Sequence, residues 1–148
     1  MTNFRKRAEE NFKNGYNCAQ SVCLAFVEKI NLEKETLLKL TSSFGGGMGR
    51  MREVCGAVSG MFIIAGLLKG CIEVNCDELK GTHYKLIQDL AEEFKKEHKT
   101  IICRELLGLE KEDEISPIPA KRTEEYYNNR PCEEFIKTAA KIIEKMLI

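Results

Sequence analysis

The chain lacks an excess of charge of either sign. Lysine and arginine together number 23, and aspartate and glutamate together also number 23. A protein that binds nucleic acid or an anionic membrane through its surface field carries a basic excess, and none is present here. The function therefore has to be sought in particular groups of residues rather than in a broad charged surface.

Long apolar runs are also missing. The most apolar stretch, Val54 to Leu68, is shorter than the roughly 20 residues that a membrane-spanning helix needs, and glycines interrupt it. The N-terminal residues, MTNFRKRAEENFKNG, are rich in charge and lack the apolar core of a secretory signal. We therefore expect a cytoplasmic protein that does not insert into a membrane, with the apolar stretch as a buried helix.

Cysteines in C-x-x-C spacing are absent, although the chain contains seven cysteines. That spacing is typical of zinc ribbons and thioredoxin-like sites, so neither is indicated by the local sequence. A chain of 148 residues is long enough to bury a core without disulfides, and disulfide frameworks are rare in the cytoplasm. Metal binding, thiol redox chemistry and ordinary burial remain, and any site has to be assembled from distant segments.

Helical periodicity runs through nearly the whole sequence. Apolar residues recur with helical spacing, and no segment shows the alternation of a half-buried strand. Asn17 and Gln20 match the capping-box pattern at the start of one helix, and a second capping box is predicted at Asn75 and Glu78. We therefore predict a single all-α domain over residues 1–148, a bundle of about six to seven helices with a glycine-rich apolar helix near its centre.

The segment from Glu110 to Arg130 is the one long stretch without a regular pattern. A loop of about 20 residues is uncommon in a compact domain, and is usually either a functional lid or mobile. Tyr126 and Tyr127 in this segment could cover a site. A solvated linker is the alternative interpretation.

The most unusual segment is FGGGMGRMREVCGAVSG, Phe44 to Gly60, in which glycines surround a cysteine. Its first glycines are loosely similar to phosphate-binding loops, but no strand precedes them and no Gly-Lys-Ser/Thr follows, so nucleotide binding is not indicated. The glycines instead predict positive φ angles at a tight entry into the apolar helix. Gly56 and Gly60 lie four residues apart on that helix, so neighbouring backbone can approach close to Cys55.

Four cysteines lie at predicted helix starts, where unpaired N–H groups and the helix dipole favour a thiolate. They are Cys18, Cys55, Cys103 and Cys132. For Cys55, the neighbouring Arg50 and Arg52 add positive charge. Since a thiolate is both a nucleophile and a metal ligand, these four are the candidate site residues.

The other cysteines and the two histidines have simpler explanations. Cys23 lies on the apolar side of a helix, and Cys71 follows a glycine that ends one. Cys76 also meets the helix-start criterion, so Cys71 and Cys76 could be inert or could pair across a turn. His83 and His98 lie on a predicted helix, where structural roles suit them better than metal ligation.

Four motifs spread along the chain carry a family resemblance: NCAQSV at Asn17 to Val22, the Phe44 to Gly60 segment, CRELLG at Cys103 to Gly108, and PCEEFIKTAAKIIEK at Pro131 to Lys145. In this order they resemble the C-GCAxxG-C-C family, a group proposed to be redox-active, whose core motif appears here as CGAVSG. The resemblance implies a redox-active protein. It also implies that the family cysteines are Cys18, Cys55, Cys103 and Cys132.

Three mechanisms follow as expectations. In the first, the four cysteines converge and hold an iron–sulfur cluster, of the [2Fe–2S] type, for electron transfer with an unknown partner protein. In the second there is no metal: Cys55 attacks, and Cys18 or Cys103 resolves the product as a disulfide. In the third, the domain is a non-redox interaction module with structural zinc at the four cysteines, or with no metal. Enzyme activity is undecided, and the small-residue face of the apolar helix could also contact a second copy of the chain.

Overall fold

The computed structural model describes residues 2–110 and 116–148, and it confirms the all-α fold class. The helices are α1 (Phe4–Lys13), α2 (Cys18–Ala25), α3 (Lys34–Thr41), α4 (Gly56–Lys69), α5 (Asp77–His98), α6 (Cys103–Leu107), α7 (Glu124–Asn129) and α8 (Cys132–Leu147). Short 3₁₀ turns follow α2 and α3. Within the two described ranges, strand pairing is limited to one isolated antiparallel bridge between Val54 and Ile102.

The glycine-rich apolar helix α4 lies at the centre of the molecule, as the sequence predicts. It packs against α2, α8 and α5, while α1 covers α2 and α8. Its fully buried residues include Val58, Met61 and Ile64. Burying one such side chain stabilises a fold by about 1.5–3 kcal/mol relative to leaving it exposed, so α4 anchors the core against which the other helices dock.

One of the two predicted capping boxes is present. At the start of α2, the Asn17 side chain accepts from the Gln20 N–H at 2.9 Å, and the Gln20 side chain accepts from the Asn17 N–H at 3.1 Å. The box predicted at Asn75 and Glu78 is wrong, because α5 begins later, after Cys76, and no side chain caps it. Acidic residues in the first turn of α5 complement the helix dipole instead.

Part of the segment predicted to be irregular is helical. Helix α7 forms within it, and the Thr123 hydroxyl caps this helix by accepting from the Tyr126 N–H at 3.1 Å. This helix raises the number in the described residues to eight, where the sequence predicts six to seven. Residues 111–115 of the same predicted loop lie outside the described residues.

None of the helices in residues 2–110 and 116–148 is both long enough and apolar enough to cross a membrane.

Candidate functional site at a four-cysteine cavity

Four cysteines from four different helices line one cavity of about 430 Å³. They are Cys18, Cys55, Cys103 and Cys132. Three of them are the first residues of α2, α6 and α8, and Cys55 is the residue that caps the start of α4. The structure thus brings together all four candidate residues from the sequence, and we call this space the cysteine cavity.

Close backbone packing brings these cysteines together. A Cβ atom built on Gly56 would lie 2.8 Å from the Phe44 carbonyl oxygen and 3.0 Å from the Cys18 Cβ. A Cβ atom built on Gly47 would lie 2.6 Å from the Cys103 Cβ. Since side-chain carbons do not approach so closely, any larger residue at either position would push a cysteine-bearing segment away. The predicted close approach of backbone near Cys55 is confirmed.

The loop before α4 has an unusual run of left-handed backbone. Positive φ angles occur at Gly46, Gly47, Met48, Gly49, Arg50 and Arg52. The sequence predicts them for the glycines, but non-glycine residues at positive φ are uncommon and cost about 1–3 kcal/mol each. Two backbone hydrogen bonds hold the loop in place, from the Arg52 N–H to Gly46 at 3.2 Å and from the Glu53 N–H to Gly47 at 2.9 Å.

Two of the four thiols form a pair. The interaction between the Cys18 and Cys132 thiols lowers the pKa of Cys132, and it raises the pKa of Cys18 well above its ordinary value. Burial acts to raise the pKa of Cys132, whereas the positive charges of nearby arginines help to lower it. The negative charge of the pair is therefore favoured on Cys132, with Cys18 as the thiol donor.

The other two thiols are held in the neutral form by burial. Burial raises the pKa of Cys55 to about 12, although the N–H groups of Val58 and Ala57 act in the opposite direction. Burial also raises the pKa of Cys103, while the Arg52 guanidinium, which donates to the Cys103 Sγ at 3.7 Å, lowers it. At Cys55 the desolvation of the charged form therefore outweighs the helix-start effect that favours a thiolate.

Arginines are the charged residues in the described lining of the cavity. Its described lining includes four arginines and no aspartate or glutamate; the arginines are Arg50, Arg52, Arg122 and Arg130. Only the first two are indicated by the sequence, through their proximity to Cys55. The other two come from the segment predicted to be irregular, and no local pattern marks them as site residues.

Arg122 is fixed in place by neutral groups. Its guanidinium donates to the main-chain oxygens of Phe12 at 3.0 Å and Tyr16 at 3.1 Å. It also lies over the Phe12 ring, 4.2 Å from the ring centroid. These contacts attach the segment that carries Arg122 to the end of α1, and they leave its charge without a carboxylate partner among the described residues.

The segment from residue 116 to residue 130 forms one wall of the cavity. Pro117, Pro119 and Tyr126 line it, so the interpretation of this part of the segment as cover for a site fits better than that of a linker. Burial raises the pKa of Tyr126 to about 12, so its hydroxyl stays neutral at physiological pH. Tyr127 packs edge-on against Phe12, with ring centroids 5.7 Å apart.

The remaining cysteines lie elsewhere. Cys23 is buried in the core, and Cys71 and Cys76 lie between α4 and α5. All seven cysteines are free thiols, so the pairing of Cys71 with Cys76 that the sequence left open is not formed. His98 has a structural contact, with its Nε2 atom 2.8 Å from the Thr138 hydroxyl oxygen.

Among residues 2–110 and 116–148, no three histidine, cysteine, aspartate or glutamate side chains are placed so that they could hold one ion. Structural zinc is bound by four ligands around a single ion. A cluster distributes its thiolates over several iron atoms and therefore does not require all four sulfurs to surround one ion.

Comparison with known proteins identifies the family. The family model described as "Putative redox-active protein (C_GCAxxG_C_C)" matches residues 16–146. No curated protein and no solved structure matches the chain significantly. Because the match covers most of the chain and includes all four cysteines of the cavity, the chain belongs to the C_GCAxxG_C_C family.

Proposed function

We propose that this protein is a thiol–disulfide redox protein in which Cys132 and Cys18 form the exchanging pair. Disulfide exchange needs a thiolate as the attacking group and a second thiol within reach of it. The pairing of these two thiols in one cavity carries the proposal, because their interaction lowers the pKa of Cys132. Of the four thiols that line the cavity, Cys132 is the one whose pKa is lowered, while the pKa values of Cys18, Cys55 and Cys103 are raised.

The reaction proceeds in two exchanges. The Cys132 thiolate attacks one sulfur of an external disulfide, so that a mixed disulfide forms and one external thiolate leaves. Cys18 then loses its proton to solvent and attacks the Cys132 sulfur, which forms the Cys18–Cys132 disulfide and releases the second external thiolate. Overall, two protein thiols are oxidised to one disulfide, and the external disulfide is reduced to two thiols.

Cys55 and Cys103 have a supporting role in this proposal. Both line the cavity, but burial raises the pKa of each, so neither is the favoured attacking group at neutral pH. The prediction from the sequence that Cys55 attacks stays open as the alternative order of events. Identifying the cysteine that carries the mixed disulfide distinguishes the two orders.

Turnover requires a separate reductant. A partner has to return two electrons to the Cys18–Cys132 disulfide before another cycle begins. We place the protein in the cytoplasm, where cellular thiol reductants supply such electrons. The chemistry supports a partner protein or a small thiol in this role.

The first experiment identifies the disulfide by mass spectrometry. The full-length protein, reduced and then treated with hydroxyethyl disulfide, is expected to yield a Cys18–Cys132 disulfide. Cys18→Ser removes the resolving thiol, so a mixed disulfide should accumulate on Cys132. Cys71→Ser, outside the cavity, is the matched control and should form the Cys18–Cys132 disulfide at the normal rate. A mixed disulfide on Cys55 in the Cys18→Ser variant would instead identify Cys55 as the attacking residue.

An iron–sulfur cluster for electron transfer is the second candidate function. Two observations favour it: four thiols line a single cavity, and N–H groups at the start of α4 interact with the Cys55 sulfur. If a cluster binds, these four cysteines would hold it, and it would supply one-electron transfer. The basic lining would favour the negative charge of thiolate ligands.

Metal and sulfide analysis separates the two candidates. The protein is purified without air, and its iron, zinc and acid-labile sulfide are measured together with the visible spectrum. Stoichiometric iron and sulfide that are lost in Cys103→Ser but kept in Cys71→Ser would establish the cluster. A colourless protein without metal that still forms the Cys18–Cys132 disulfide would establish thiol chemistry.

A further inference from the structure

We propose that the cysteine cavity is a binding site for a small disulfide whose ends carry carboxylate groups. The disulfide chemistry in this statement rests on the proposed function above. The recognition of an anionic small molecule rests on the shape and charge of the cavity, and it is tested separately.

The positive charge of Arg122 favours an anion. Its guanidinium lines a space that has no acidic side chain in its described lining. Guanidinium groups match carboxylates in geometry and bind them with two parallel hydrogen bonds. A cationic molecule would meet the like charge of Arg122.

The Arg122 guanidinium is held by neutral groups. Main-chain oxygens and aromatic rings fix the position of its guanidinium, and no described carboxylate pairs with it. A guanidinium held by neutral acceptors keeps its full positive charge available to a ligand in the cavity. A negatively charged group bound there would therefore gain a charge-assisted interaction without breaking an existing ion pair.

The size and the apolar part of the lining restrict the ligand further. A volume of about 430 Å³ lies within the range of small-molecule sites, roughly 300–1,000 Å³. Leu106, Leu107 and Phe135 provide an apolar wall beside the basic groups. Short methylene chains between a central disulfide and terminal carboxylates suit such a wall, while the thiols face the same space.

The binding test uses molecules that cannot react. Suberate is a dicarboxylate in which two methylenes replace the sulfurs of dithiodipropionate, and hexanediol and hexanediamine are neutral and cationic molecules of similar length. Titration calorimetry on the reduced protein should show suberate binding about tenfold more tightly than hexanediol at low salt, consistent with one charge-assisted hydrogen bond. Hexanediamine should bind most weakly, and added salt should reduce the preference for suberate. Equal affinity for all three compounds would overturn the inference.

The exchange test uses three disulfides that differ mainly in charge. They are dithiodipropionate, which is anionic, hydroxyethyl disulfide, which is neutral, and cystamine, which is cationic. Each rate is divided by the rate of the same disulfide with a free dithiol, which removes differences in intrinsic reactivity. The normalised rates should decrease from the anionic to the cationic compound, and equal normalised rates would count against the inference.

Variants of Arg122 separate charge from structure. Arg122→Gln should reduce the ratio of the anionic to the neutral rate about tenfold, through loss of a charge-assisted hydrogen bond. Arg122→Lys loses the two-pronged contact with Phe12 and Tyr16 but keeps the positive charge. Because the ratio of the anionic to the neutral rate depends on that charge, this variant should keep most of the ratio. Arg5→Gln, an exposed position on α1 that does not line the cavity, is the control for net charge. A parallel fall of both rates in Arg122→Gln, with the ratio unchanged, would show a purely structural role and contradict the inference.

Failure of the two proposals gives different results. Preferential suberate binding without disulfide exchange would support the anion site and refute the thiol mechanism. Disulfide formation between Cys18 and Cys132 at rates that ignore substrate charge would support the mechanism and refute the anion site.

Discussion

Among the described residues, cysteines line the cysteine cavity and also a second cavity, and the two differ in their number of thiols and in their arginines. The cysteine cavity has about 430 Å³, while the cavity between α4 and α5, which we call the α4–α5 corner, has about 560 Å³. Cys71 lines the corner, where its Sγ donates a hydrogen bond to the Glu73 main-chain oxygen at 3.7 Å. The larger cavity has one thiol and no arginine in its described lining, so neither volume nor the presence of cysteine distinguishes a functional site.

The difference lies in what surrounds each sulfur. Cys76 occupies the same position at the start of α5 as Cys55 does at the start of α4, yet Cys76 lines neither cavity. The corner is also loosely packed, with Ile72 91% exposed, while Cys55 is 4% exposed. A helix start therefore makes a thiol part of a site only when close packing brings other thiols and positive charge to it.

The largest expected effect separates the two regions by their chemistry. Cys132→Ser should reduce disulfide exchange to the background rate, because it removes the group that attacks. Cys71→Ser at the corner should leave the rate unchanged. Stopped-flow measurement of exchange with hydroxyethyl disulfide checks both variants, and unaltered exchange in Cys132→Ser would break the comparison.

The second prediction concerns packing. Gly47→Ala should lower the free energy of unfolding by roughly 2–5 kcal/mol, since overpacking costs about 1–3 kcal/mol and a left-handed alanine about 1–2 kcal/mol. Gly66 lies on the exposed side of α4 with nothing within 4 Å of its Cβ direction. Gly66→Ala should therefore stabilise the protein by about 0.4–1 kcal/mol. Urea unfolding of both variants measures the contrast, and equal effects would show that the glycine loop is not tightly packed.

The third prediction sharpens the electrostatic difference. Because Arg52 lowers the pKa of Cys132, Arg52→Gln should raise that pKa and slow alkylation of Cys132 several-fold at neutral pH. In the unaltered protein, the alkylation rate of Cys132 should level off at a lower pH than for an ordinary thiol. In Arg52→Gln it should level off at a higher pH than in the unaltered protein. Mass spectrometry after iodoacetamide pulses at a series of pH values provides the measurement. Arg52→Lys keeps the positive charge, so its alkylation rate should level off at the same pH as in the unaltered protein. If the rate levels off at a higher pH in this variant as well, the cause is lost structure rather than lost charge.

The smallest effect is expected at the α4–α5 corner. Ile72→Ser changes a side chain that is 91% exposed, and substitutions at such positions usually alter stability by less than about 0.5 kcal/mol. Thermal unfolding of the variant checks this expectation. A decrease of more than about 1 kcal/mol in the free energy of unfolding would show that Ile72 is packed in solution. The corner and the cysteine cavity would then differ less in packing.

Features encoded by neighbouring residues could be predicted from the sequence. The capping box at Asn17, the central apolar helix and the close approach around Gly56 each depend on side chains or glycines within one helix turn of each other. The local helix-start rule also admitted Cys76, and the family resemblance implied which four cysteines belong to the family pattern. These features follow from local backbone geometry, which short segments reveal.

Features that depend on distant segments could not be predicted. Arg122 reaches main-chain oxygens of Phe12 and Tyr16, more than a hundred residues away in the chain, so its place in the cavity is a product of the fold. The neutral state of Cys55 follows from burial by other helices, which overrides the local effect of the helix start. At Asn75, local propensity predicted a cap, but α5 begins after Cys76 and no side chain caps it.

The separation of Cys18 and Cys132 along the chain has a consequence for how folding could be followed. Cys18 begins α2 and Cys132 begins α8, and both helices pack against α4. The lowered pKa of Cys132 depends on Cys18 and on arginines from separate segments, so it requires α8 to be docked. Under the proposed function, alkylation of Cys132 faster than that of an ordinary thiol would therefore report that these segments have assembled, and Cys132 would serve as a built-in folding probe.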